Sequence, residues 1–197
     1  MLRYYQKYIS KVIESINIKS SKSKFIIGID GLGGSGKSTF AKELIESMEN
    51  TEIVHMDDFY KCENMRKEPK SNSEIGFFFD WRKLENEVLI PFTNDLEISF
   101  QKYDWSSDSL KYWQNISKNS NVIVEGVYAT RKELSKYYDL KIWIDCPSEI
   151  CLERGIDRDG IEMKEYWQNV WMKQENEYLE KHKPFLVADL NISGSNA

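Results

Sequence analysis

The sequence predicts an α/β fold in three layers, with helices on both faces of a parallel, doubly wound sheet. Two observations carry this. Short apolar runs alternate with helix-period patterns along the whole chain, as right-handed crossover connections require. One of those runs, Phe25 to Ile29, passes into a glycine-rich turn and then into a helical pattern through Phe40, Ala41, Leu44 and Ile45. The 197 residues suit one domain, 1–197, of which 1–22 form an N-terminal amphipathic helix and linker.

Taken in order, Leu2, Tyr5, Ile9, Val12, Ile13 and Ile16 recur at helical spacing, and a helix there is expected to cover the domain's own sheet. Lys19 to Ser23 is a polar linker. Strands are expected at 25–29, 52–55, 121–125, 140–145 and 188–192, with a strand or hairpin from Ile98 to Trp105. Helices are expected after the glycine-rich turn, over Leu84 to Phe92, from Arg131 to Tyr138, from Pro147-Ser148 through Ile156, and over Glu162 to Lys181. The aromatics of that last helix (Trp167, Trp171, Tyr178) read as core packing, with adenine stacking as the alternative. From Lys61 to Gly76 the chain is charged and aperiodic, which predicts an exposed, mobile loop.

The turn after the first strand carries the chemistry. Gly31 to Thr39 read GLGGSGKST, which fits the G-x-x-x-x-G-K-S/T phosphate-binding pattern. Glycines let successive backbone N–H groups face inward as an anion-holding concavity, and the following helix presents its positive end to the same anion. Gly31, Gly33, Gly34, Ser35, Gly36, Lys37, Ser38 and Thr39 are therefore the expected nucleotide-binding residues. Lys37 is positioned to neutralise β/γ-phosphate oxygens and Ser38 to ligate Mg²⁺. The fold expected is that of a P-loop NTPase.

A formal net charge of −5 excludes an electrostatic case for nucleic acid or an anionic membrane as partner. Cys62, Cys146 and Cys151 have no metal-like spacing and are odd in number, so buried thiols in a reducing compartment are expected. No apolar run approaches the ~18 residues a membrane span needs, and a cytoplasmic location follows as the expectation.

Ligands of such sheets lie at the carboxyl ends of the strands, and several acids fall there. Asp57 and Asp58 follow the second strand, and adjacent residues on an extended chain point opposite ways, so one of them faces the site. Glu125 ends a buried strand and reads as a metal or water-orienting acid, the alternative being a strand-end cap. Asp145 reads as a structural cap or as a group supporting the site from behind, since Pro147 and Ser148 open a helix after it. His55 reads as a packed strand residue.

The segments GLGGSGKST, HMDDFY, FFFDW, QKYDW, VIVEGVY and CLERGIDRD, in this order and spacing, resemble the uridine kinase family of P-loop nucleoside kinases. The likeness runs from about Phe25 to the last strand. It implies Asp57 as catalytic base, with Asp58 and Tyr60 beside it at the acceptor. It implies Asp80 and Trp81 at the ribose hydroxyls, Tyr103 in the base pocket, and Ser38 with Glu125 at Mg²⁺. It also implies a small lid in which Arg154 and Arg158, four residues apart on one helical face, close over the phosphates. One departure stands out. The family's base-reading histidine is replaced by Asp108, and the chain's two histidines are His55 and His182.

The resemblance thus implies an ATP- and Mg²⁺-dependent phosphotransferase acting on a hydroxyl of a small-molecule substrate, with uridine or cytidine leading. Asp57, Lys37, Arg154 and Arg158 are its catalytic residues, and a homo-oligomer is compatible with it. The rivals are a kinase for another hydroxyl compound (pantothenate, nicotinamide riboside or a sugar) and a non-catalytic nucleotide-binding regulatory module.

Overall fold

The computed structural model describes residues 4–19, 24–66 and 74–195. Five strands form one sheet in the order β2 (Thr51–His55), β5 (Asn121–Glu125), β1 (Ile26–Gly31), β6 (Leu140–Asp145), β7 (Leu190–Ser193), every neighbouring pair parallel. The period of two in each strand splits the core between two faces. Ile26, Val54, Val122 and Val124 point to one face, and Ile27, Ile29, Ile123, Ile142 and Ile144 to the other. Each face has its own cover, which makes the three layers.

The second of these faces is covered by α2 (Lys37–Ile45), through Phe40, Ala41 and Leu44, and by α1 (Gln6–Lys19) with Tyr5 before it. Tyr5 meets the Phe40 ring edge-on at 5.0 Å. The N-terminal helix is therefore a layer of the domain itself, as its apolar stripe predicts. Leu2 and the linker 20–23 lie outside the described residues. The first face is covered by a helical run in which α3 (Trp81–Leu84) continues through a π-helical stretch (Glu85–Leu89) into α4 (Ile90–Thr93). A two-stranded hairpin, β3 (Ile98–Asp104) with β4 (Ser109–Ile116), completes that cover. β4 leaves most of its residues exposed on both sides, so it has no alternation to betray it in sequence.

The other elements lie around the carboxyl edge. A 3₁₀ turn, Met56–Phe59, follows β2. α5 (Ser148–Asp159) follows β6, and a second helical run passes from α6 (Lys164–Tyr166) through a π-helical stretch (Trp167–Trp171) into α7 (Met172–His182), with α8 (Pro184–Val187) leading to β7. One element departs from expectation. Between Arg131 and Tyr138 there is only a 3₁₀ turn, Ser135–Tyr137. The backbone amides of Tyr128 and Thr130 donate to the buried Asp30 carboxylate, and Tyr128 has φ 71°. Both hold the segment before it in a non-helical course. Of the loop expected over 61–76, residues 67–73 lie outside the described residues, while Arg66 is anchored to Asp108 by two hydrogen bonds of 3.1 and 2.8 Å.

Candidate active site

A cavity of about 330 Å³ opens at the carboxyl edge of the sheet, where β1 hands over to α2. Gly34 and Gly36 have φ 77° and 99°, a backbone that side chains rarely adopt. A Cβ on Gly34 would run into the carbonyl oxygen of Cys151 in α5, and one on Gly33 would lie 2.8 Å from the Trp167 ring. Close approach by two other elements therefore demands these glycines. Gly33, Gly34, Gly36, Lys37, Ser38 and Thr39 line the cavity. Gly31 and Ser35 stand behind it, packed on each other and on Ile144. The buried Ser35 hydroxyl has no hydrogen-bond partner among the described residues. Lys37 is buried and donates to the Leu32 carbonyl at 2.7 Å.

One strand-end acid, Glu125, meets Ser38. The serine hydroxyl donates to Glu125 Oε1 at 3.0 Å, and the same oxygen lies 2.5 Å from His55 Nδ1. Burial works to raise the Glu125 pKa, but the His55 contact, the Lys37 charge and the Ser38 hydroxyl outweigh it and hold the carboxyl below its ordinary value. The contact with Glu125 in turn raises His55, against the opposing effect of burial. His55 is thus part of the site, which its place in a strand did not announce.

Asp57 faces the cavity, open to it yet ringed by protein. Burial and the Glu125 charge raise its pKa, opposed by Lys37, Arg158 and His55. Asp58 turns the other way, buried, with Lys102 Nζ 3.1 Å from Oδ2 in an ion pair that lacks hydrogen-bond alignment.

The two arginines share one face of α5 and do different work. Arg158 borders the cavity, where its charge acts on Asp57, and it pairs with Asp159 at 2.7 and 2.9 Å. Arg154 also borders the cavity, but its guanidinium donates to the carbonyls of Gly34 (3.3 Å), Gly194 (2.8 Å) and Ser195 (2.9 Å). It ties the glycine-rich loop to the end of β7.

The far end of the cavity is walled by rings. Tyr60 stands 4.5 Å from Trp105 and 5.2 Å from Phe79, which meets Tyr128 at 5.4 Å. Trp171 also borders the cavity, its indole hydrogen-bonded to the Tyr60 side chain. Burial, with Tyr166 beside it, pushes the Tyr60 phenol up. Of the five residues expected at the acceptor (Asp58, Tyr60, Asp80, Trp81, Tyr103), only Tyr60 lines the cavity. Asp80 caps α3 by accepting the Lys83 amide at 3.0 Å, the ordinary use of an aspartate there. Trp81 is buried beneath the Arg131 guanidinium, and its indole donates to Glu74. Tyr103 stands behind Tyr60 and Trp105 and donates to Asp108 at 2.6 Å. Asp108 is thereby held between Tyr103 and Arg66.

Two acids went unforeseen. Asp30, wholly buried, accepts from the amides of Gly31, Tyr128 and Thr130 and from the hydroxyls of Thr130 and Tyr178. An acid inside an otherwise apolar strand was the available signal. Glu175 borders the cavity and accepts the Gly33 amide; in a run as charged as QENEYLE nothing singles it out.

Comparison with known proteins places this arrangement. The model of the phosphoribulokinase / uridine kinase family matches residues 26–176. A uridine kinase of Ureaplasma parvum is 31% identical over 159 residues, covering 77% of this chain and 76% of the relative. A uridine kinase of Staphylococcus carnosus is 26% identical over 189 residues, covering 87% and 88%. A solved structure described as a possible uridine kinase of Bacillus stearothermophilus superposes with a TM-score of 0.74 at 23% identity, covering 95% of this chain and 98% of that one. No helix among the described residues is long and apolar enough to cross a membrane. With a glycine-rich loop, a Ser38–Glu125 pair and Asp57 around one cavity, and a family model that spans most of its length, the chain belongs to the phosphoribulokinase / uridine kinase family.

Proposed function

We propose that this chain is an ATP-dependent kinase that transfers the γ-phosphoryl group to a hydroxyl of a nucleoside, uridine or cytidine foremost. The observation that carries the reading is a single cavity with two chemically distinct ends. One end is lined by Lys37, Ser38 and glycine amides, the other by aromatic rings, and Asp57 borders the same space. A kinase needs both a triphosphate seat and an acceptor seat, and a nucleotide-operated switch has no use for the second.

In this mechanism the loop amides and Lys37, which exchanges the Leu32 carbonyl for phosphate oxygens, hold the β/γ-phosphates. Asp57 takes the proton from the acceptor hydroxyl as its oxygen bonds to the γ-phosphorus, and the bond to the bridging oxygen of the departing ADP breaks. Asp57 is open to the cavity, and the protein around it together with the Glu125 charge raises its carboxyl above the ordinary aspartate value, which favours proton uptake. Arg158 neutralises charge spread over the transferring group. The donor set suits Mg²⁺: a serine hydroxyl beside an ionised carboxylate, both hard oxygens, on the wall of the cavity. Ser38 and Glu125 would hold the ion, and it would supply neutralisation of the triphosphate's negative charge. The tyrosine and tryptophan faces stack the acceptor's flat ring, and enclosing it excludes water as a competing acceptor.

One observation favours a second acceptor class. At the position of the family's base-reading histidine, Asp108 is already engaged by Arg66 and Tyr103 and offers no free donor to a pyrimidine. A related fold serves a D-glycerate 3-kinase of Cryptococcus neoformans (TM-score 0.58, 14% identity), and fold alone does not choose an acceptor. The test is ADP release from ATP and Mg²⁺ with a panel of uridine, cytidine, purine nucleosides, nicotinamide riboside, pantothenate and sugars. Release with uridine or cytidine supports the leading reading. Release only with a non-nucleoside transfers it to the second, and release with none overturns both.

A further inference from the structure

Glu175 is a carboxylate seated in the phosphate-binding loop. It projects from α7 with 6% of its surface exposed, and the Gly33 N–H reaches both of its oxygens, at 3.3 Å to Oε1 and 3.2 Å to Oε2. Among the described residues no lysine or arginine lies within ion-pair distance of it. Its helix is held over the loop by Trp167, whose ring packs on Gly33 and on Gly155 of α5. The π-helical stretch Trp167–Trp171 lies between that anchor and α7, a local unwinding often found at functional sites. Gly33 and Glu175 both border the cavity. A loop amide directed at that hollow is the kind of donor a phosphate oxygen uses, and here a side-chain anion already has it.

We propose that Glu175 is a positioning residue for nucleotide loading: as a carboxylate it latches the empty loop through the Gly33 amide, and it yields that amide to a polyphosphate by taking up one proton from solvent. The inference rests on the reading of this loop as a triphosphate seat and adds a linked proton to it. In the neutral form Glu175 keeps an O–H, so the residue that competed with the phosphate becomes a donor to it.

The groups around Glu175 set the balance. Lys37 of α2 favours its ionised form, as does the Gly33 amide, while Asp30 of β1 and Asp57 after β2 oppose it. Tyr128 after β5 and Cys151 of α5 also face it; both stay neutral, the phenol well above its ordinary value and the thiol pushed up to about 12 by burial. Burial is the largest influence on Glu175 and pushes its carboxyl up to about 7. A polyphosphate brings further negative charge to its side, so binding near neutrality draws the proton in.

The experiment is titration calorimetry of the whole chain with Mg²⁺-ATP, in pairs of buffers of different ionisation heat, from about pH 6 to about pH 8.5, repeated on Glu175→Gln. For the unaltered chain, near-neutral heats that differ between buffers by a substantial fraction of a proton taken up are expected. Its Kd should weaken about tenfold between about pH 7 and pH 8.5, as the competent protonated fraction falls. Glu175→Gln should bind with a flat profile over that range; titration of the nucleotide itself is common to both proteins and cancels in the comparison. Equal slopes in both proteins, or no proton uptake by the unaltered chain, overturn the latch. Should the variant fail to fold, the Glu175 carboxyl ¹³C resonance decides instead. Movement from the ionised towards the protonated position on adding Mg²⁺-ATP supports the proposal, and an ionised position in both states overturns it. Absence of binding heat at every pH removes the triphosphate seat and the proposed function with it, whereas binding without proton uptake removes the latch alone.

Discussion

The Tyr178 hydroxyl donates to Asp30 Oδ2 at 2.7 Å, joining residues 148 positions apart. Asp30 lies one residue before the glycine-rich loop, and Tyr178 lies one helical turn beyond Glu175. Both are buried, and burial raises the Asp30 pKa against the bonds that Tyr178, Thr130 and Gly31 make to it. This contact fixes how the last long helix sits over the loop. Tyr178→Phe keeps the ring and deletes the bond, and hydrogen bonds to charged groups contribute about 1.5–3 kcal/mol. A lower urea midpoint at unchanged slope is the expected result; an unmoved midpoint would deny the bond any role.

Asp57→Asn keeps the shape of the side chain and removes the base. Phosphoryl transfer should fall about 10²- to 10⁴-fold, while Mg²⁺-ATP still binds, since nucleotide is held by the loop. Turnover assays paired with calorimetry check this. Near-normal turnover would remove Asp57 from the mechanism.

Arg154 and Arg158 should separate cleanly. The Arg158 side chain is largely exposed, and its ion-pair partner Asp159 is its neighbour in sequence. Arg158→Ala should therefore lower kcat by about a hundredfold or more and leave the melting temperature unchanged. Arg154→Ala leaves three partly buried carbonyls without their donor and should lower the melting temperature and weaken nucleotide binding together. Melting curves and steady-state kinetics on both variants provide the comparison, and identical behaviour would contradict the assignment.

Trp105 is about half exposed (54%) while bordering the cavity, so its truncation disturbs the core little. Base–aromatic stacking is worth about 1–3 kcal/mol, so Trp105→Ala should raise the acceptor KM at least about fivefold and leave the ATP KM unchanged. A change confined to the ATP KM would assign the ring to the nucleotide instead.

Glu175 also makes stability depend on pH, with a definite sign. Its pKa rises from 4.5 to about 7 on folding, so between those values the native state binds more protons than the unfolded one. Stability therefore falls as pH rises through that window, and the full cost is present above about pH 7. Glu175→Gln cannot ionise, so relative to the unaltered chain it should gain stability from about pH 5 to pH 8, by up to about 3 kcal/mol. Chemical denaturation at the two pH values measures the difference, and parallel pH profiles would refute it.

Much of this molecule was legible before any coordinates. The P-loop, the strand-end acids Asp57 and Glu125, the amphipathic first helix and the alternating α/β order all follow from local rules: glycine dihedrals, the periods of strand and helix, and adjacency in sequence. Those rules act over a few residues, so a linear reading finds what they dictate. The expectations at Asp80 and Trp81 came from the family likeness and not from such rules; in the structure the Asp80 carboxylate caps a helix and the Trp81 ring is buried beside it. The 131–138 segment missed its helix because amides just before it bond to Asp30, roughly a hundred residues earlier.

By itself the sequence determined the sheet, the phosphate-binding loop and which strand ends bear acids, because backbone geometry and side-chain period are properties of neighbouring residues. Only the tertiary structure decided that His55 shares an oxygen of Glu125 with Ser38, that Arg154 holds carbonyls while Arg158 beside it on the cavity wall pairs with Asp159, and that Glu175 occupies a loop amide. Hydrogen bonds and desolvation act over a few ångströms of space whatever the distance along the chain, and packing alone brings those partners within reach.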